Sequence, residues 1–336
     1  MSLVLRTLPF GLALLFIFGC YVGGMGYFLG PTMCLVVMPL ADSLIGERFN
    51  HLLNPKPKKV LDFILRMHFF LQIFFNVYIF FVLKFRLSAF DITWTMINAG
   101  MMNGILGLTV AHELIHRKNP IDRLIGKLLL VMVFNGHYKI AHLIIHHRDI
   151  ATPMDPVSAW NRPNLYMFLP KAIFSSFKRA WLLEYERLKT SSFLNRLFKN
   201  EVNQTTALSS LVALPIILYL GPIGLLIFIG QSLIAISFLK TIDYIEHYGR
   251  VRKKLPNGAF EKFGSQHSWD TDSFVTNIML FNVGRHAHHH KNPSVPYYKL
   301  KLEQDSKRLP FGYPMAIWIA LIPVLLDRWL DKQRLK

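Results

Sequence analysis

Cysteine is nearly absent from this chain. The only two, Cys20 and Cys34, both lie inside apolar runs, which excludes a disulfide framework and a thiolate metal site. Charge is also scarce. Asp, Glu, Lys and Arg make up 17% of the 336 residues, against 52% hydrophobic residues and a mean hydropathy of +0.31. A soluble domain of this length carries more charge. Acids are the scarcer sign, 20 against 38 Lys and Arg, for a formal net charge of +18. No internal repeat, low-complexity tail or small-residue cleavage site followed by a polar mature domain is evident. Nucleic acid is one partner for so basic a chain. In a chain with long apolar blocks, the better account is cytoplasmic loops rich in Lys and Arg that face anionic lipid.

The apolar residues are gathered in blocks, and a helix needs about 20 of them to cross the hydrocarbon core. Six spans are predicted, at 8–30, 31–46, 61–83, 92–111, 207–220 and 222–239. Gly30-Pro31 is a natural turn between the first two, and Gly221-Pro222 breaks the last pair into a hairpin. A polar loop from Glu47 to Lys59, with Asn54-Pro55-Lys56-Pro57, precedes the third span, and Lys84-Phe85-Arg86 ends it. The large polar segments then fall on one side, which the positive-inside rule makes cytoplasmic. The expected architecture is an all-α integral membrane protein. One domain, 1–336, carries a cytoplasmic cap of 112–206 and 240–336 on its six transmembrane helices. A shorter apolar stretch, 311–326, is expected at the interface or packed on the cap.

Histidine is what this chain has in concentrated form. Nine of its 14 histidines fall in three clusters and one single residue, all beside apolar spans. They are His112 and His116; His142, His146 and His147; His247; and His286, His289 and His290. Imidazole near a bilayer is costly without a partner, and neutral imidazole is the commonest metal ligand. His112 and His116 are four apart and share one helix face. The spacing recurs at His142 and His146, and again at His286 and His290. One catalytic zinc needs three protein ligands, so this supply suits two iron ions. The stretch His112-Glu113-Leu114-Ile115-His116 also matches a zinc-protease pattern with Glu113 as base, but that reading leaves the other clusters unused. His51, His68 and His137 are isolated and read as structural, and His288 is set among the neighbours of the third cluster. Outer acids orient such imidazoles. The candidates are Glu113, Asp149, Asp155, Asp243, Glu246, Asp270 and Asp272. Asp243 and Glu246 stand out because they close the sixth span directly before His247.

Together these residues resemble the membrane alkane and xylene monooxygenase family, related to the membrane fatty-acid desaturases. The likeness lies in Ala111 to His116, and in Gly136-His137-Tyr138 followed by His142 and the run from His146 to Pro156. It continues in Asp243 to Gly249, Gln266 to Asp270, Phe281 to His290, and Leu309 to Pro314. The early loop Pro39 to Glu47 with Asn54-Pro55 is similar too. The resemblance covers about residues 36 to 326.

It implies a desaturase-like fold of six helices with a histidine-rich di-iron cap. The nine clustered histidines would be the ligands of two iron ions. Glu113, Asp155, Asp243, Glu246 and Arg285 would be the residues acting around them. The implied reaction puts one oxygen atom from O₂ into an unactivated C–H bond of a hydrophobic substrate such as an alkane or alkyl-aromatic. Electrons would come from a separate rubredoxin or ferredoxin-type donor with its reductase. The protein would sit in a bacterial inner membrane, with its site on the cytoplasmic side. A desaturase or fatty-acid hydroxylase of the same superfamily is the main alternative; a non-enzymatic metal-binding membrane protein is a weaker one. The chain departs from the family at Ala141, Leu143 and Ile145, where the family usually has Glu, Asn and Gly. It departs again at Ser273, a usual His, and at His288, a usual Asp.

Overall fold

The computed structural model describes residues 2–53 and 58–332; the Asn54 to Pro57 stretch lies outside the described residues. Helix α1 (Ser2–Val22) runs up and α2 (Gly24–Ile45) returns. Their turn falls at Gly23-Gly24, not at the expected Gly30-Pro31. Both turn glycines take positive φ, 70° and 50°, a region open to residues without a Cβ. Pro31 instead continues inside α2, and a π-turn at Met33–Val37 follows it. Helix α3 (Lys58–Leu83) crosses again. Helix α4 is one continuous run, Ala89–Met102, then Asn103–Gly107 as a π-turn, then Leu108–Ile115. Helices α5 (Pro120–Val131), α6 (Tyr138–Ile140 through Ala141–His146 to His147–Asp149), α7 (Leu165–Arg187) and α8 (Phe193–Lys199) follow in the cap. Helices α9 (Glu201–Leu220) and α10 (Pro222–His247) form the last hairpin, turned at Gly221 with φ 65°.

Five helices among the described residues are long and apolar enough to cross a membrane: α1 from Val4, α2, α3, α9 and α10. Only 22% to 44% of each is buried inside the protein. Their outer faces expose Leu14, Phe18, Val77, Phe81, Leu218 and Leu226, the surface expected where lipid replaces water. The predicted fourth span, 92–111, lies in α4 but is not among the five. Asn98 and Asn103 lower its hydropathy, and both are buried against neighbouring helices.

Polar side chains set how these helices meet. Asn103 exchanges side-chain hydrogen bonds with Asn76 of α3 at 3.0 and 3.1 Å and donates to Gln231 of α10 at 3.0 Å. Such bonds fix helix register where no hydrophobic effect acts between helices. Gly100 and Gly104 form a small-xxx-small stripe against α10. A Cβ at Gly100 would lie 2.5 Å from Ile234 Cβ, and one at Gly104 would lie 2.9 Å from Ala235 Cα. The two backbones therefore pass in near contact.

The cap is tied to the helix ends. The Asp42 carboxylate of α2 accepts hydrogen bonds from the Ser273 hydroxyl and from the Thr276 hydroxyl and amide. Ser273 precedes α11 (Phe274–Met279) and Thr276 lies within it, and α12 (His286–Lys291) follows. A two-strand parallel ladder, β1 (Trp269–Asp270) with β2 (Lys307–Arg308), pins the loop before them. The apolar stretch 311–326 forms α13 (Tyr313–Ala320) and the start of α14 (Pro323–Lys332), with Tyr313 fully buried.

Candidate metal centre

Four helix ends converge beneath the cap, and each contributes histidines. His112 and His116 close α4, and His142, His146 and His147 lie on α6. His247 is the last residue of α10, and α12 carries His286, His289 and His290. Their ring nitrogens gather in two sets of four, each with all ligand atoms within 4.8 Å of one another. One set is His112, His116, His142 and His289; the other is His146, His247, His286 and His290.

The π-turn at Ala141–His146 explains one departure from simple spacing. On a regular helix His142 and His146 would share a face. The widened turn sends His142 to the first set and His146 to the second. Helix α12 also serves both, because His286 and His290 share a face while His289 points across. His147 belongs to neither set of four. Its Nε2 lies 3.2 Å from His142 Nε2, and its ring lies 4.4 Å from that of His290, so it stands at the junction.

These nitrogens lie too close for an unoccupied apolar pocket. His116 and His142 approach at 2.9 Å, His286 and His290 at 2.8 Å, and His146 and His290 at 3.2 Å, all through Nε2. Burial, then neighbouring imidazoles, pushes His116, His142, His286, His289 and His290 well below the usual histidine range. Neutral rings with converging lone pairs are the donor set a metal cation needs. The residues therefore fit a metal pair.

The outer nitrogens have partners of two kinds. His146 Nδ1 pairs with Asp155 Oδ2 at 2.8 Å. Burial raises the Asp155 carboxyl, but His146 and the Ser158 hydroxyl outweigh it and hold it below its ordinary value. His286 Nδ1 lies 3.2 Å from Glu246 Oε1, which also accepts the Tyr313 hydroxyl at 2.6 Å. His142 Nδ1 meets the Tyr138 hydroxyl at 3.1 Å. Sequence reasoning assigned no role to Tyr138 or Tyr313. The signal for Tyr138 is its place one helical turn before His142.

The other candidates sit apart. Glu113 is held by Arg117 at 2.6 Å and accepts the Tyr297 amide at 3.1 Å, both through Oε1, and it joins neither set. Arg285 pairs with Asp272 and donates to the Leu300 carbonyl. Asp149 pairs with Arg148 and Arg179. Asp270 accepts the Ala287 amide and so steadies the start of α12. His267 is fixed between the Gly264 amide and Glu261, while half-buried His288 joins neither set.

An apolar cavity reaches the two sets from the helix bundle. Cys34, Met38, Gly104 and Phe238 line it toward the bundle, and His112, His142 and His286 line its metal end. Asp243 and Glu246 also form its wall.

Membrane-crossing helices that deliver clustered histidines to one buried, cavity-fed site define an integral membrane protein with a histidine-built metal centre. The fatty acid desaturase family model matches residues 88–314. An alkane 1-monooxygenase of Pseudomonas putida is 34% identical over 89% of this chain and 76% of its own length. Alkane 1-monooxygenase 1 of Alcanivorax borkumensis is 33% identical, over 88% and 74%. The xylene/toluene monooxygenase hydroxylase component XylM of Pseudomonas putida is 25% identical, over 95% and 85%. The chain belongs to the fatty acid desaturase family, in its alkane and xylene monooxygenase branch.

Proposed function

We propose that this chain is a membrane non-haem di-iron monooxygenase that hydroxylates an unactivated C–H bond of a hydrophobic substrate. The observation that carries the reading is the pair of four-imidazole sets opening on one apolar cavity. The names of the relatives, alkane 1-monooxygenase and xylene/toluene monooxygenase, agree with it. The ligands would be His112, His116, His142 and His289 in one set, and His146, His247, His286 and His290 in the other, with His147 between them. Bound iron would supply the oxidising power for O₂-dependent oxygen insertion, chemistry that side chains lack.

The protein's own residues do the rest. Asp155 and Glu246 orient His146 and His286 and raise their donor strength. Tyr313 fixes Glu246 in place, and Tyr138 does the same for the His142 ring. The apolar cavity holds the substrate and keeps water from the site. Two electrons and two protons balance the reaction: RH and O₂ give ROH and water. The electrons would come from a separate rubredoxin or ferredoxin-type protein. Between the membrane helices on the far side, the connections carry only Lys84 and Arg86 as cations. That supports a cytoplasmic metal side in a bacterial inner membrane.

Metal analysis of the detergent-purified chain with Mössbauer spectroscopy tests the reading. Close to two irons per chain, followed by an alcohol product from a hydrocarbon, is the expected result. One zinc without iron would overturn it, and an alkene from a long acyl chain would move the protein to the desaturases.

A further inference from the structure

The apolar cavity that reaches the two histidine sets is thinly walled where α2 meets α13. Leu35 of α2 and Ile317 of α13 both line it, beside Cys34 and Met38. On each helix the next residue already faces outward: Val36 is 48% exposed and Trp318 is 44% exposed. A single layer of side chains therefore separates cavity from lipid along this seam. The α4 wall is different, because Leu106 and Leu108, the neighbours of its lining residues Ile105 and Thr109, are fully buried.

The bond that holds the seam follows from the sequence. On a regular helix the Leu35 carbonyl would accept the amide four residues on. That residue is Pro39, which has no N–H. A carbonyl without a donor is costly where lipid replaces water. Trp318 supplies the donor from the other helix, with its Nε1 2.5 Å from the Leu35 oxygen. A side chain rooted in α13 and bonded to α2 lies across the seam, so the indole both ties the two helices and covers their join.

We propose that Trp318 is a specificity-determining residue: its tie to Leu35 sets how wide a hydrocarbon can pass between α2 and α13 into the cavity. An unbranched chain needs the least displacement of the indole. A branched one needs the Trp318–Leu35 bond broken and α13 moved aside. Breaking that bond strands the Leu35 carbonyl, because Pro39 offers nothing in its place, and the unmet acceptor opposes the opening. Trp318 does not line the cavity and touches neither the histidines nor the reacting C–H bond; it acts through Leu35 and Ile317. The inference rests on the monooxygenase reading and concerns which hydrocarbons reach that site.

The test compares the wild type with Trp318→Phe and Pro39→Ala. The first keeps an aromatic cover and removes the donor. The second gives the Leu35 carbonyl a helical amide, so that the tie is no longer needed. One readout requires no metal: the rate at which N-ethylmaleimide labels Cys34, which lines the cavity, relative to Cys20, which is buried elsewhere. The other is competition between n-octane and isooctane, its branched isomer, in the iron-loaded protein. The wild type should prefer n-octane by about tenfold or more. Both variants should raise the Cys34 rate over that of Cys20 severalfold and cut the preference by about fivefold. A wild type that oxidises isooctane as readily as n-octane overturns the proposal, whether or not the variants fold. An unchanged Cys34 to Cys20 ratio in the folded variants overturns it too, as does a rise shared equally by Cys20, which marks general loosening. Faster Cys34 labelling in a chain that oxidises no hydrocarbon would leave Trp318 as the tie over the cavity and remove the monooxygenase reading alone.

Discussion

At the residue scale, the outer partners decide how firmly each histidine is set. Asp155 accepts from His146 Nδ1 and from the Ser158 hydroxyl, and both bonds are buried. Asp155→Asn should cut metal affinity by about 10- to 100-fold while leaving the chain folded. Chelator competition measures this, and unchanged affinity would mean that Asp155 serves only the loop at 149–158. His289→Ala should lose metal and activity together, and full activity in that variant would remove His289 from the ligand set. Acid tests the same groups. The buried imidazoles are pushed below the usual value of 6.5, so the unfolded chain binds more protons than the folded one below that value. Stability then rises with pH through this window and falls as pH drops below about 6.5. The thermal midpoint of metal-free protein, followed from pH 7.5 to 5, should decline steeply below about 6.5, and a flat profile would contradict the burial of these rings.

At the element scale, α4 carries the strictest demands. It must hold His112 and His116 at one end and pass within backbone contact of α10 along its middle. Gly104→Leu would drive a side chain into Ala235 Cα, 2.9 Å from even a Cβ. Overpacking of this kind costs about 1–3 kcal/mol, and here it would also shift the two histidines. A lower thermal midpoint together with reduced metal content is expected, and loss of stability with full metal content would show that the two are not linked. Much of this element was legible in the sequence. The apolar run and the i, i+4 histidines announced a helix ending in candidate ligands. The glycine stripe and the Asn103 network were not read, because which helix Gly100, Gly104 and Asn103 face depends on how the helices meet, not on the run of residues in α4. The turn between α1 and α2 was misplaced for a related reason. Gly30-Pro31 is the stronger turn signal by composition, yet Pro31 falls in the first turn of the α-helical stretch that begins at Leu29, where its missing N–H is tolerated, and the paired glycines at 23 and 24 supply the positive φ. The division of eight of the nine histidines between two sets was likewise hidden, since it depends on the π-turn in α6 and on the meeting of α12 with α4.

At the scale of the whole molecule, charge and metal site share one side. Thirty of the 38 Lys and Arg lie in 112–206 and 240–336, the segments that carry the histidine clusters, while the far connections between the membrane helices hold only Lys84 and Arg86. Such asymmetry orients the chain in the bilayer, and it also places a positive field over the route by which electrons must arrive. A soluble acidic donor would be drawn to that face, and its encounter rate would depend on ionic strength. Raising salt from about 50 to about 500 mM shortens the screening length to a few ångströms. Reduction by an acidic ferredoxin or rubredoxin should therefore slow at least severalfold, while reduction by a small neutral reductant changes little. Stopped-flow measurement with both reductants separates the two cases. If donor and small reductant show the same salt dependence, the basic face serves lipid alone and the donor docks by contacts other than charge.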